Sequence, residues 1–361
     1  MTYNQGILEK IDVYKRLYAD ERPGQILATI SPYTFHFSDS QRANLGLEQR
    51  PLDSWHFPDD ADAFVDAGIE NLRRFTAYTK DLQSDYIPNL SVGLGVALAS
   101  AFFSDAKIRF SADTSWVHPV IHDWSDLDRL TLSEDHAWYR LLAQMTKRIV
   151  SSCAGDYVPG CYAYFGPSDM ANALRGNALF YDYHDNPDQV HRLMRISTEA
   201  IIWLHEHLLA LTGLAAGGSV MADIWLPGPA LFMSEDASDL CSADIYRTFS
   251  RPYTQRIIDR FGSAYMHHHA VGRHIHDQIA TLNNLQVVEL SWDPNCPRPI
   301  DDIVCYYRMN PSVPLQTRCT AADVYANIDH LMQCRTILMV IVESLEEAKD
   351  VLAFIRYHSR I

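Results

Sequence analysis

The 361-residue sequence holds no apolar stretch long enough to span a bilayer, and it opens on Met1-Thr2-Tyr3-Asn4-Gln5 without a basic segment leading into an apolar run. Neither a membrane helix nor a secretory leader is expected, and the chain reads as cytoplasmic. Basic charge is scarce: 30 Lys and Arg stand against 45 Asp and Glu, a formal net charge of −15. That balance repels phosphate backbones and anionic lipid surfaces, so nucleic acid and membrane are excluded as expected partners. Paired cysteines are missing as well. Cys153, Cys161, Cys241, Cys296, Cys305, Cys319 and Cys334 stand singly, without the spacing of a zinc ribbon or the density of a disulfide scaffold, and read as buried thiols in a reducing compartment. There is no Gly-x-Ser-x-Gly elbow and no phosphate-cradling Gly-Lys-Ser or Gly-Lys-Thr. Gly93-Leu94-Gly95 has Leu98 where a dinucleotide loop needs its third glycine, and His205-Glu206-His207 lacks the four-residue spacing that puts two zinc ligands on one helical face.

What is present is a regular alternation. Hydrophobic residues make up 47% of the chain and charged residues 21%, the balance of a globular protein with a large core. Eight short apolar runs alternate with amphipathic stretches of helical length: Gln25 to Ile30, Asp85 to Leu90, Tyr157 to Phe165, Ser219 to Trp225, Ala264 to His269, Gln286 to Ser291, Val313 to Gln316 and Thr336 to Val342. Each is nearly continuously apolar, as strands buried on both faces of a parallel sheet must be. Helix starts are legible at Asn186-Pro187, running to Leu211, at Ser242, running to Arg260, and at Thr320, running to Met332. Gly213 and Gly262 follow two of the ends. Strand then helix, eight times over, predicts an α/β fold: a (β/α)8 TIM barrel forming a single domain over residues 1–361. Two long irregular stretches, Ser31 to Trp55 and Ala101 to Thr131, follow strands 1 and 2 and are expected to wall the mouth.

Chemistry in such barrels belongs to the C-terminal ends of strands, where the loops converge. That rule selects Asp85, Tyr164, Ser168, Asp223, Trp225, His267, His269, Asp293, Gln316, Arg318 and Glu343. On the fifth strand His267 and His269 point the same way, roughly 6.5 Å apart along the chain, while His268 points oppositely. Imidazole serves as a metal ligand or as an acid or base near neutral pH, and Glu343 or Asp293 can supply a hard oxygen ligand. A histidine at a strand end is also often only a hydrogen-bonded structural residue, and that alternative stays open. His274 and His276 open a helix and read as solvent-facing or capping residues. Asp223 either orients a ligand or closes the turn before Trp225. Glu235 and Asp236 form an acidic pair in a loop, with a role in the site as one reading and a solvated surface as the other.

Three segments resemble the uroporphyrinogen decarboxylase superfamily, which includes the decarboxylase and cobalamin-linked methyltransferases. They are Gly166-Pro167-Ser168-Asp169, the stretch Ser242-Ala243-Asp244-Ile245-Tyr246-Arg247-Thr248-Phe249-Ser250-Arg251-Pro252-Tyr253, and His269-Ala270-Val271-Gly272. The resemblance runs from about Asp85 to the end and implies a (β/α) barrel. The decarboxylase branch carries arginines for substrate carboxylates where this chain reads Gln25-Ile26-Leu27-Ala28-Thr29-Ile30-Ser31-Pro32, so those partners are lost. The methyltransferase branch binds zinc through His-x-Cys-Gly and a later cysteine after the eighth strand. Here His269 matches the histidine, Val271 replaces the cysteine, and Glu343 stands at the end of the eighth strand. Cys334 precedes that strand, and Cys296 and Cys319 follow other strands.

The resemblance therefore implies a methyltransferase-like enzyme that passes a methyl group between a small substrate and a corrinoid protein or thiol acceptor. Zinc is the expected metal, on His267, His269 and Glu343, with the corrinoid carried by a partner protein. His269, Asp85 and Asp223 are the expected catalytic residues, and Tyr164, Ser168, Trp225, Asp293 and Arg318 the expected substrate contacts. A homodimer is left open. Two alternatives remain: a decarboxylase of a porphyrinogen or another carboxylated substrate, and a non-catalytic ligand-binding barrel.

Overall fold

The computed structural model describes residues 1–47, 50–161 and 163–361; Tyr162 of the expected third strand and residues 48 and 49 of the first long loop lie outside the described residues. The barrel strands are β1 (Gln25–Thr29), β2 (Asn89–Leu90), β3 (in two pieces, Val158–Pro159 and Ala163–Phe165), β4 (Leu231–Ser234), β5 (Ala264–His269), β6 (Leu285–Ser291), β7 (Leu315–Thr320) and β8 (Arg335–Ile341). Seven of them form one parallel sheet in the order β1-β8-β7-β6-β5-β4-β3. β2 closes the ring: it pairs with β3 through Asn89 and Val158, while the Asp85 amide just before it donates to Ala28 of β1 at 2.8 Å. The fold is TIM barrel-like, with helices outside, as right-handed crossovers require.

Most strands and helices fall where their patterns predict. The helix from Asn186-Pro187 runs Pro187–Thr212, and Gly213 takes a φ of 68° behind it. Thr320 caps Ala321–Leu331 with a reciprocal capping box to Asp323. The Ser242 helix is interrupted by a π turn at Tyr246–Ser250, immediately before Pro252, and resumes as Arg251–Phe261. No helix among the described residues is long and apolar enough to cross a membrane.

The expected fourth strand is different in kind. Ser219 to Trp225 is an antiparallel hairpin, Gly218–Met221 against Ile224–Pro227, and the barrel strand is the short β4 that follows it. The hairpin lies inside the barrel. From there Val220 O accepts from Cys161, Asp223 O from Ile87, and Ala222 O from the Gln316 side chain, at 2.9, 3.0 and 3.2 Å. An inserted hairpin is surrounded by barrel wall on every side, so its sequence is as apolar as a central strand and the two cannot be told apart by pattern. Gly218 has no room for a Cβ between Leu226 O and the Trp225 ring, so the hairpin base closes tightly.

Two cores result. The outer one lies between sheet and helices. The inner one joins the inward residues Leu27, Tyr265, Val287 and Ile337 to the hairpin and to the N-terminal helix Gln5–Ala19, which covers the amino-terminal end of the barrel. Tyr14 of that helix donates to Asp85 O at 3.0 Å, and Lys10 to Tyr86 O at 2.7 Å. With the lower half filled, the open part of the barrel is its carboxyl end.

Candidate metal centre

Strand parity sends Tyr265, His267 and His269 of β5 inward and Met266 and His268 outward. Tyr265 accordingly joins the inner core and Met266 the outer. On β6, Glu289 is the residue paired with His267. Its carboxylate accepts from Tyr265 Oη at 2.7 Å and meets His267 Nδ1 at 2.8 Å. Just beyond β6, Asp293 meets His269 Nδ1 at 2.6 Å and holds the Val271 amide at 2.9 Å with its other oxygen. Each imidazole therefore has one nitrogen taken by a carboxylate. The other two nitrogens, His267 Nε2 and His269 Nε2, face each other at 3.0 Å. The Asp236 carboxylate stands 3.7 Å from His269 Nε2. All three donor atoms of Asp236, His267 and His269 lie within 4.8 Å of one another.

The electrostatics follow from this arrangement. Asp236 first and Asp293 second raise His269 against the opposing effect of burial, to about 9. Burial pulls His267 down, but Glu289 outweighs it and the net shift is upward. Burial pushes Glu289 up, yet His267, Tyr265 and Arg318 hold it below the usual carboxylate value. Two Nε2 lone pairs 3.0 Å apart repel unless a cation lies between them, either a shared proton or a metal ion. The donor set fits a metal. Two imidazoles with Nδ1 locked by carboxylates, plus a free carboxylate, make the ligand and outer shell of a zinc site with open coordination positions.

Asp236 is held in place from below by buried acids. Glu235 accepts from the hydroxyls of Ser168 and Thr254. Asp169 accepts from Ser234 Oγ and the Ala237 amide, both at 2.6 Å. Burial raises Glu235 to about 7. Asp169 rises well above its usual value, through burial and then the neighbouring Asp236 and Glu235 charges.

Of the residues selected from sequence, His267, His269 and Asp293 come together here. Arg318 points into the same mouth from β7, close enough to act on both Asp223 and Glu289. Asp223 reaches it by an unexpected route, at the tip of the inserted hairpin, where burial lifts it to about 6. The remainder lie elsewhere. Glu343 is exposed beyond β8, its amide bonded to Glu347, and β8 is three strands from β5, so Asp236 and not Glu343 supplies the carboxylate of the cluster. Asp85 sits before β2, bonded to the Ala28 amide and 3.8 Å from Arg356, facing helices and not the mouth. Trp225 pairs with Val220 in the hairpin and sends its ring back to the base, donating to Ala215 O at 2.8 Å beside Tyr18. Tyr164 faces outward to His205 at 3.1 Å, and Ser168 is buried under Glu235. His276, expected near solvent, is fully buried. Cys319 and Cys334 are buried, and no cysteine joins the cluster among the described residues.

Glu289 was hidden from sequence reasoning by its setting in Val287-Val288-Glu289-Leu290. A lone acid within an apolar run, placed opposite His267 by counting back along neighbouring strands, is the signal that could have found it.

The long loops supply walls as expected. A cavity of about 410 Å³ beside Asp236 is bounded by Trp116 and Pro119 from the second loop. A second, of about 250 Å³, is bounded by Tyr33 and Phe37 from the first and has Asp223 in its lining.

Comparison with known proteins agrees with this architecture. A methyltransferase from Methanosarcina mazei superposes with a TM-score of 0.65 at 13% identity, covering 96% of this chain and 98% of that one. A comparison with curated protein sequences returns no match. The sequence profile described as uroporphyrinogen decarboxylase (URO-D) matches residues 105–316. With more than half its length matched by that profile, and with the barrel to go with it, the chain belongs to the uroporphyrinogen decarboxylase family.

Proposed function

We propose that this protein is a metal-assisted methyltransferase acting as one barrel domain, with zinc on His267, His269 and Asp236. The observation that carries the reading is the pair of Nε2 atoms turned toward each other, each imidazole fixed by its own carboxylate. Zinc there supplies a Lewis acid that makes a substrate heteroatom a better leaving group. The residues of the chain do the rest. Glu289 and Asp293 keep both Nδ1 atoms occupied and the rings oriented. Asp236, on a loop secured by Glu235 and Asp169, completes the ligand set. Arg318 and Asp223 face the open end and position the substrate. The methyl group leaves without the bonding electrons, which stay with the heteroatom, and passes to a nucleophilic acceptor, the reduced corrinoid of a partner protein or a thiolate. The methyltransferase likeness of the structural relative supports this reading.

The mouth offers little to a polycarboxylate substrate. Glu289 and Asp293 are paired with His267 and His269, and Arg318 acts on Asp223 and Glu289, so the guanidinium there is already engaged by carboxylates where a decarboxylase needs several for its substrate. The test is elemental analysis of the purified protein joined to a demethylation assay with a methylcobalamin readout, with and without chelator. One zinc per chain and chelator-sensitive turnover on a methoxylated or methylamine substrate is the expected result. Metal-free protein that does not take up added zinc overturns the reading.

A further inference from the structure

The cavity of about 250 Å³ on the β1 and β2 side of the mouth is built unlike the metal centre beside it. Four of its lining residues are aromatic, Tyr33, Phe37, Phe75 and Tyr86, and Asp223 and Asn89 are among the rest. Three of the rings form a continuous wall. Phe37 and Phe75 meet edge to face at 6.2 Å, and Phe75 and Tyr86 at 5.9 Å. Arg42 also lines the cavity, with its guanidinium 5.7 Å over Phe37, so an added cation is seated at the Asp223 end, away from it.

Asp223 is 8% exposed; its carboxylate accepts from the Ser31 side chain, and Asn89 Nδ2 reaches it at a long 3.4 Å while bonding Ile87 O at 2.9 Å. The turn that presents it is strained. Ala222 and Asp223 have φ of 45° and 70°, consecutive left-handed positions that a two-residue hairpin ordinarily gives to Asn and Gly. A turn chosen only to close the hairpin would carry glycine. This one puts a carboxylate beside the ends of β1 and β2, next to an aromatic wall.

We propose that this cavity is a subsite for a small methylated ammonium ion, seated with its charge toward Asp223 and its methyl groups against Tyr33, Phe37, Phe75 and Tyr86. Ring faces attract such cations without competing for hydrogen bonds, and a buried carboxylate adds the directed charge that an uncharged ligand cannot use. A methylated ammonium bound here as the methyl donor rests on the methyl-transfer reading. Its binding does not.

The test is calorimetric titration of choline and tetramethylammonium into the full chain after chelator treatment, near neutral pH, with neopentyl alcohol as the uncharged counterpart. Choline is expected to bind at least about tenfold more tightly than the alcohol, and Asp223→Asn to weaken choline about tenfold. Tyr33 is 78% exposed, so Tyr33→Ala is expected to keep the fold and to bind about threefold more weakly. Equal affinity for ion and alcohol, undiminished binding by folded Asp223→Asn, or no heat with either ammonium ion overturns the proposal. Ammonium binding to protein that takes up no zinc sustains the subsite while the metal reading falls. Zinc uptake without ammonium binding does the reverse.

Discussion

Strand β5 carries three consecutive histidines, and its two faces treat them in opposite ways. On the inner face His267 and His269 each give one nitrogen to a carboxylate at 2.8 and 2.6 Å and leave the other turned toward its neighbour. Both are shifted toward the protonated form. On the outer face His268 is 2% exposed, its Nδ1 is 3.4 Å from Asp239, and its ring stacks on His276 with centroids 5.5 Å apart. His276 is held neutral there, lowered to about 3 by burial and then by the His268 charge. Gly272, at the end of the His269-Ala270-Val271-Gly272 segment, leaves the space a Cβ would take from Asp239 and His268. His268 too has a carboxylate beside Nδ1 and an unpartnered Nε2, but that nitrogen is enclosed between strand and helices. What makes a histidine available is an open nitrogen that faces the mouth and a second donor, and strand parity decides which rings have one.

The sharpest way to break this comparison is to remove an inner ring. His267→Ala or His269→Ala is expected to weaken zinc by more than about 100-fold, beyond the usual effect of losing an outer-shell partner. Competition against a chromophoric chelator measures it, and stoichiometric zinc in either variant defeats the assignment. Removing the carboxylates behind the rings comes next. Glu289→Gln and Asp293→Asn are expected to weaken zinc by about 10- to 100-fold with the fold retained. An unchanged affinity in both means that the rings are not oriented from behind. The outer ring should behave differently: His268→Ala is expected to leave zinc affinity within about threefold while lowering unfolding free energy by about 2–3 kcal/mol in urea.

Acid sharpens the contrast further. The folded His276 refuses a proton that the unfolded chain accepts below about pH 6.5, so the unfolded state binds more protons and stability falls as pH drops from there toward about 3. At pH 5 this amounts to about 2 kcal/mol. His276→Phe is expected to lose that much less than the parent between pH 7 and pH 5, and parallel urea curves for the two proteins contradict it. The smallest effect belongs to Glu343, where Glu343→Gln is expected to change zinc affinity by less than about twofold, given its distance from the cluster in strand order.

How much of this was legible depends on which physical rule carried it. Apolar continuity located the barrel strands other than β4, within a few residues, because parallel strands buried on both faces have no other way to read. It failed at Ser219 to Trp225, where an inserted hairpin has the same signature and its Ala222-Asp223 turn lacks the glycine that announces one. Parity along β5 put His267 and His269 on one face, and the structure has their rings side by side there. The third ligand was chosen by strand-end position alone, and that rule does not say which ends are neighbours. The order of the sheet does, and it puts the loop after β4 beside β5 and the end of β8 far away. Asp85 was misplaced for a related reason: the usable part of β2 starts four residues later, so a residue read as strand sits at the closed end.

The inserted hairpin has a consequence for how such a protein diversifies. In a barrel whose interior is packed by its own strands, changing the bottom of the pocket means altering residues that also hold the wall together. Here residues 218–227 are an inserted plug, and its tip contributes Asp223 to the chamber above. The tip is joined to the wall by backbone carbonyls, Asp223 O to Ile87 and Ala222 O to the Gln316 side chain, so its side chains can change without removing those bonds. With Asp223 as the carboxylate of the proposed subsite, substrate preference and barrel integrity would be written in different stretches of chain.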